Sequence, residues 1–254
     1  MRFFIGLALA LALGVMGCSD ASGTGGTHGD GGSGGGGSAG VGGGPTASVT
    51  VFVGESDPEL PGIGLVGPLP GVTVCEVGAD NCDTTDAGVS VLLDVSANRE
   101  VTFTADKSGY TPMLGGGGVF QSDVTGFVSI PLTIEAYFDD MHERVMAPYP
   151  MEGTGSVRIH LVEGDVAGST FSITPSEGTL FYRDEDHNWD PDLAATTPDG
   201  GGGYAELPPG EYQVVVSGTA ENCSPVRGWV GTTGNAVRFL VAEGYVTDVR
   251  MACD

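Results

Sequence analysis

From about residue 45 onward, apolar and polar side chains exchange places at every second position. The pattern recurs in SVTVFV (48–53), GVTVCEV (71–77), VSVLLDV (89–95), EVTFTA (100–105), GFVSIPLTI (126–134), SVRIHLV (156–162), STFSI (169–173), EYQVVVSG (211–218), AVRFLVA (236–242) and YVTDVRM (245–251). A period of two puts one set of side chains in a core and the other outside, which is the signature of a half-buried strand. Gly, Pro, Asn and Asp separate the runs, as expected of β-sandwiches. One segment switches period. Ile134, Phe138, Met141 and Val145 fall at i, i+4, i+7 and i+11, with Asp139, Asp140, Glu143 and Arg144 between them. This spacing predicts a short helix or irregular bridge between two β-domains, ended by Ala147-Pro148-Tyr149-Pro150 because a residue before proline disfavours the helical region.

The first 44 residues have no such pattern. Arg2 precedes an uncharged apolar run from Phe3 to Met16, and Gly17 stands before Cys18. Fourteen residues suit a signal peptide and fall short of the roughly 20 that span a bilayer as a helix. Val15-Met16-Gly17-Cys18 resembles the lipobox of bacterial lipoproteins. The resemblance implies a signal peptide over 1–17, cleavage before Cys18, and acyl chains such as palmitate anchoring that residue to a membrane. Ser19 at the following position implies the outer membrane, on either its periplasmic or its outer face. Between Ser22 and Gly44, 14 of 23 residues are glycine. That stretch has too little apolar surface to offset its ordering entropy, so 18–45 reads as a disordered tether. Gly31-Gly32-Ser33-Gly34-Gly35 matches G-x-S-x-G but lacks the strand and helix of a nucleophile elbow.

The remaining chain repeats itself. In the first half SVTVFV is followed by Pro70-Gly71, VTVCEV, Thr84-Thr85-Asp86-Ala87-Gly88, VSVLLDV and EVTFTADKSGY. In the second, SVRIHLV is followed by Ala167-Gly168, STFSITP, Thr196-Thr197-Pro198-Asp199-Gly200 and GYAELPPGEYQVVVSG. This order resembles carboxypeptidase-regulatory-like domains, relatives of the transthyretin-type Greek-key sandwich. Thr197, Asp199, Gly200, Tyr204, Leu207, Pro208, Pro209, Gly210 and Tyr212 carry the resemblance in the second half, and Thr85, Asp86, Gly88, Gly109 and Tyr110 in the first. The first half has Ser96-Ala97-Asn98-Arg99 in place of Leu-Pro-Pro-Gly. The resemblance implies a hairpin at the Pro-Pro-Gly turn joining two central strands; the period of two then puts Tyr212, Val214 and Val216 on one core face. It also implies an accessory, non-catalytic module. The fold expectation is all-β: two Greek-key β-sandwich domains in tandem, at 46–136 and 153–254, joined by a bridge at 137–152. Isopeptide-forming surface domains are cousins of this family, but Lys107 lies late in the first unit and the second unit has no lysine.

Composition narrows the function. With 33 acidic and 9 basic side chains the net charge is −24, which opposes nucleic acid, whose phosphates are bound through Lys and Arg. Lys107, the sole lysine, follows Asp106 rather than a glycine, so no phosphate-binding loop is present. Beyond Cys18 four cysteines remain, an even number that suits disulfides in an oxidising compartment. Three pairings are open; Cys75–Cys82 with Cys223–Cys253 is favoured because each stays within one domain.

Asp184, Asp186, Asn188, Asp190 and Asp192 recur at alternate positions, an oxygen-rich spacing that makes calcium the candidate cofactor. Trp189 occupies the sixth position, where a calcium loop needs glycine, and Ala195 the twelfth, where it needs a bidentate Glu. The expectation is therefore a polar loop with diffuse cation screening. His142-Glu143-Arg144-Val145-Met146 opens like a zinc-protease helix and lacks the second His. His142, His160 and His187 are scattered, so the sequence shows no catalytic constellation. Tyr182, Trp189, Tyr204 and Trp229 are candidates for a sugar platform, with core packing the simpler use. The expectation is a non-enzymatic, membrane-anchored envelope lipoprotein with structural or adhesive modules. The alternative is a lipoprotein that holds an envelope glycan or a peptide through its second domain.

Overall fold

A computed structural model describes residues 44–56, 65–87, 89–122 and 124–254. The signal peptide, Cys18 and nearly all of the glycine-rich tether lie outside the described residues. Alternation becomes strand as expected. In chain order the elements are β1 (Thr46–Ser56), β2 (Leu65–Pro68), β3 (Thr73–Glu76), β4 (Cys82–Thr84), β5 (Ser90–Ser96), β6 (Glu100–Asp106), β7 (Met113–Val119) and β8 (Gly126–Leu132). Helix α1 (Glu135–Arg144) follows. Then come β9 (Gly155–Val162), β10 (Thr170–Thr174), β11 (Thr179–Arg183), β12 (Trp189–Asp190), β13 (Gly201–Leu207), β14 (Gly210–Ser217), β15 (Ser224–Arg227), β16 (Trp229–Val230), β17 (Ala236–Val241) and β18 (Val246–Ala252). The fold is all-β.

The repeat seen in the sequence is a repeat of strand pairing. In the first half β1 pairs antiparallel with β5 and parallel with β8, while β3 pairs with β6 and β6 with β7. In the second half β9 pairs antiparallel with β13 and parallel with β18, while β10 pairs with β14 and β14 with β17. Matching turns occur in the two units. The buried Thr85 hydroxyl donates to Leu69 O (3.0 Å) and accepts from Val72 N (2.9 Å). The buried Thr196 hydroxyl donates to Val166 O (2.5 Å) and accepts from Ser169 N (2.9 Å). Gly71 and Gly168 take positive φ at the same place in each turn, a conformation that costs glycine nothing. Thr85 thus corresponds to Thr196, one position away from the sequence alignment that set it against Thr197.

The Pro208-Pro209-Gly210 turn differs from the expectation. It does not close a hairpin, because β13 pairs with β9 and β11 while β14 pairs with β10 and β17. It is a corner that carries the chain from one sheet to the facing sheet. The Tyr212 hydroxyl fixes it by donating to Pro208 O at 2.9 Å, and Tyr212, Val214 and Val216 enter the core as expected. A tyrosine bonded a few residues upstream is a recurrent device at sandwich corners.

The two halves share a sheet. Strand β18 lies between β9 and β7, so β12-β11-β13-β9-β18-β7-β6-β3-β4 form one continuous sheet, with β15 also on β18. The two smaller sheets, β2-β1-β5 with β8 and β10-β14-β17-β16, complete the first-half and second-half sandwiches. One core holds Val49, Val51, Phe103 and Ile130 together with Phe181, Trp189, Ala205 and Val246 of the second half. The other holds Val157, Ile159, Leu161, Val214, Val237, Val249 and Met251. The described residues fall in one compact unit.

The segment read as a bridge is packed. Phe138, Met141 and Val145 of the helical stripe are buried, while Ile134, at the N-cap of α1, is partly exposed.

Candidate functional site

Alternation along β9 places Val157, Ile159 and Leu161 in the second-half core, so Arg158 and His160 must face the other way. The same holds for β18, where Asp248 alternates with Val249 and Met251. On a half-exposed sheet these polar positions would face water. Here Tyr137 and Phe138 of α1 and Trp189 of the 184–192 loop lie against Arg158 and His160, Asp248 pairs with Arg158 and Arg227, and Arg158, His160 and Asp248 are all buried. The parallel register sets Asp248 beside Arg158 and Arg250 beside His160.

Asp248 is the anchor of this cluster. Its Oδ1 accepts from Arg158 Nε at 2.8 Å, and its Oδ2 pairs with Arg227, whose other nitrogen donates to Ser129 Oγ at 2.9 Å. Burial alone would raise the Asp248 carboxyl, but the Arg158 and Arg227 charges overcome it and hold the group well below the usual carboxylate range. A second pair lies alongside: Arg183 meets Asp199 at 3.0 Å, and Asp199 meets His187 Nδ1 at 3.0 Å. Burial lowers the Arg183 guanidinium from its ordinary value, with Asp199 opposing. Four of the chain's eight arginines, Arg158, Arg183, Arg227 and Arg250, therefore gather in one region of a strongly acidic protein.

Glycine makes the room. A Cβ on Gly201 would lie 2.5 Å from Arg183 Cδ, and one on Gly203 would lie 2.0 Å from Val157 O and 2.8 Å from Phe181 Cζ. Phe181 and Arg183 can cross the β13 backbone only because those side chains are missing. Trp189 then stacks on Phe181 with ring centres 3.9 Å apart, and meets Phe138 of α1 edge-on at 5.8 Å.

Both candidate histidines of this region are structural. His142 Nδ1–H donates to Phe138 O at 2.8 Å, so Nε2 accepts the Ser156 hydroxyl at 2.9 Å. Burial lowers its pKa from the ordinary imidazole value. Burial pushes His160 well below that value, and Arg183, Arg158 and Arg250 add to the effect while Asp248 opposes it.

The acidic loop is organised differently from the proposed metal cradle. Asp184 Oδ1 accepts from the backbone N–H groups of Asp186 and Asn188 at 2.9 and 2.8 Å, and Asp190 Oδ1 accepts from Asp192 N at 2.8 Å. The oxygens of Asp184 and Asp190 are committed to holding the turn. Among the described residues, no group of three or more His, Cys, Asp or Glu side chains is gathered as a metal would require. Asp184, Asp186, Asn188, Asp190 and Asp192 are thus not brought together as a calcium site. The sugar platform is also corrected: Tyr182, Trp189, Tyr204 and Trp229 are all buried, so these four offer no exposed ring face for a ligand. Their hydrophobic area goes into the cores and the sheet joint instead.

The cysteines pair as favoured. Cys75–Cys82 bridges directly opposed positions of β3 and β4, and Cys223–Cys253 ties the segment before β15 to the end of β18. Lys107 Nζ donates to Pro70 O at 2.7 Å.

The sequence reading did not find the arginine cluster. Its signal was present: Arg-x-His in one strand and Asp-x-Arg in another, each on the side opposite a run of aliphatics. Only the parallel pairing of β9 with β18 shows that these sides coincide.

These features define a chain of all-β sandwiches built around a shared sheet. No family model and no curated protein matches it. Among solved structures it is similar to the Bacillus anthracis TIE protein, at 12% identity and a TM-score of 0.28 over 82% of this chain and 34% of that one. It spans about a third of that protein's length. It is also similar to GBS52, the minor pilin of Streptococcus agalactiae, at 13% identity and a TM-score of 0.27 over 82% and 95% of the two chains. The shaft pilin SpaA of Lactobacillus rhamnosus GG gives 12%, 0.23, 82% and 98%.

Proposed function

We propose that this protein is a non-enzymatic envelope lipoprotein, anchored to the outer membrane through Cys18, whose repeated β-sandwich units serve a structural or adhesive role. The observation that carries the reading is the use made of the buried charges. Arg158, Arg227 and Asp248, with Arg183, Asp199 and His187, bond to one another between the shared sheet and its cover. Groups spent in this way hold a module rigid. The two disulfides support an oxidising compartment. The carboxypeptidase-regulatory-like resemblance, carried by turns and core positions, supports an accessory module and names no chemistry.

The test combines fractionation with labelling. Wild-type protein should incorporate labelled palmitate and partition into detergent, whereas Cys18→Ala should remain uncleaved or soluble. Equal membrane partitioning of the two would reject the anchor. An array of glycans and peptides probed with the full chain addresses the second half of the reading. Saturable binding of one soluble glycan, abolished by changes in the 184–192 loop, would replace the structural role with a ligand-binding one.

A further inference from the structure

We propose that the space between α1 and the shared sheet is a binding site for one monatomic anion of halide size, chloride in a natural setting. Tyr137, Phe138, Arg158, His160, Arg183 and Trp189 line a small cavity of about 10 Å³. That volume admits one water-sized or halide-sized species. No carboxylate lines it.

The chemistry of the wall favours an acceptor. Arg158 uses Nε on Asp248, and both of its terminal nitrogens are buried with no hydrogen-bond partner. His160 Nδ1 faces Arg183 at 3.5 Å and can only accept there, which places the ring proton on Nε2, also buried and without a partner. The unmet groups of Arg158 and His160 are therefore all donors. The Tyr137 hydroxyl, also on the wall, gives its proton to His187 O at 3.4 Å. An ion that only accepts meets every one of those donors.

Charge points the same way. Asp248 and Asp199 stand against Arg158, Arg183 and Arg227, with Arg250 close by and Asp184 and Glu163 acting on Arg183 and Arg250. Leaving a guanidinium edge unpaired in the interior is costly, and one negative ion within reach offsets that cost. The long-range field of the acidic chain opposes anions, but it is screened within roughly 8–10 Å at ordinary salt. Contact with the guanidinium edge acts well inside that distance.

The experiment uses the full chain. Melting is followed in sodium chloride, bromide and gluconate at one fixed ionic strength, and crystals are soaked in bromide for anomalous diffraction. The expected result is a saturating rise in melting temperature, about 2–4 °C, in chloride or bromide over gluconate, with one bromide peak between Arg158 and His160. The halide-specific rise should be lost in His160→Leu, which removes one donor and leaves the Asp248 pairs in place. Superimposable melting curves in the three salts, or a soaked crystal with no anomalous peak in the cavity, would overturn the proposal and make this a water site. Because the wild-type crystal is itself decisive, a variant that fails to fold does not shield the idea.

Discussion

Asp248 and its partners concentrate what single residues contribute. A carboxylate held between two guanidinium groups is costly to bury and far more costly to orphan. Asp248→Asn would leave Arg158 charged and unpaired in the interior, and should destabilise the protein by about 3–5 kcal/mol in urea unfolding. A loss below about 1 kcal/mol would show that Arg158 finds another route to solvent. The histidines give a second residue-level test. His142 and His160 are held neutral by burial, so the unfolded chain takes up protons first as pH falls below about 6.5. Their contribution is complete above that value and declines as pH drops toward their lowered folded values. Asp248 adds a second loss below the ordinary carboxylate value of about 3.9, where its unfolded form becomes protonated. Urea midpoints should therefore fall between pH 7.5 and 5, with a smaller fall in His142→Gln. A flat profile would mean that both rings accept protons in the folded protein.

Among the elements, the disulfides divide by loop length and burial. Cys75 and Cys82 sit toward the surface seven residues apart, whereas Cys223 and Cys253 are buried and thirty apart. Loop entropy assigns about 2.5 kcal/mol to the first and about 3.5–4 kcal/mol to the second. Replacing Cys223 and Cys253 together by Ala should lower the urea midpoint more than replacing Cys75 and Cys82, and the reverse order would contradict the burial argument. Strands, helix and repeat were readable because each is written in local periodicity or spacing, whereas the cysteine pairs were favoured only through the domain boundaries. The Leu207-Pro208-Pro209-Gly210 step shows where that legibility stops. Its turn chemistry was evident, but whether the next strand folds back beside β13 or crosses to the facing sheet depends on partners about twenty to fifty residues away on β10 and β17. The same limit hid the arginine cluster, since Arg158 and Asp248 are 90 positions apart.

At the level of the molecule, the shared sheet makes the halves interdependent. Arg238 pairs with Glu100 across them through two contacts of 3.0 and 2.8 Å, and Trp229 Nε1 donates to Val101 O at 3.3 Å. The sequence expectation is two tandem domains, at 46–136 and 153–254, joined by a bridge. Calorimetry should instead give one cooperative transition whose calorimetric and van't Hoff enthalpies agree. Two resolved peaks would mean that the β18–β7 seam is too short to couple the cores.

The position of β18 also sets an order of events. It follows all three of its partners, β7, β9 and β15, along the chain. During synthesis those partners emerge first, with the edges of β9 and β7 bare and Arg158 without its carboxylate. Neither sandwich can seal until Val246–Ala252 arrives, and pairings between such distant segments form slowly. A chain arrested before that point would stay loose enough to thread through a pore. It would also be sticky enough to need a chaperone's shelter.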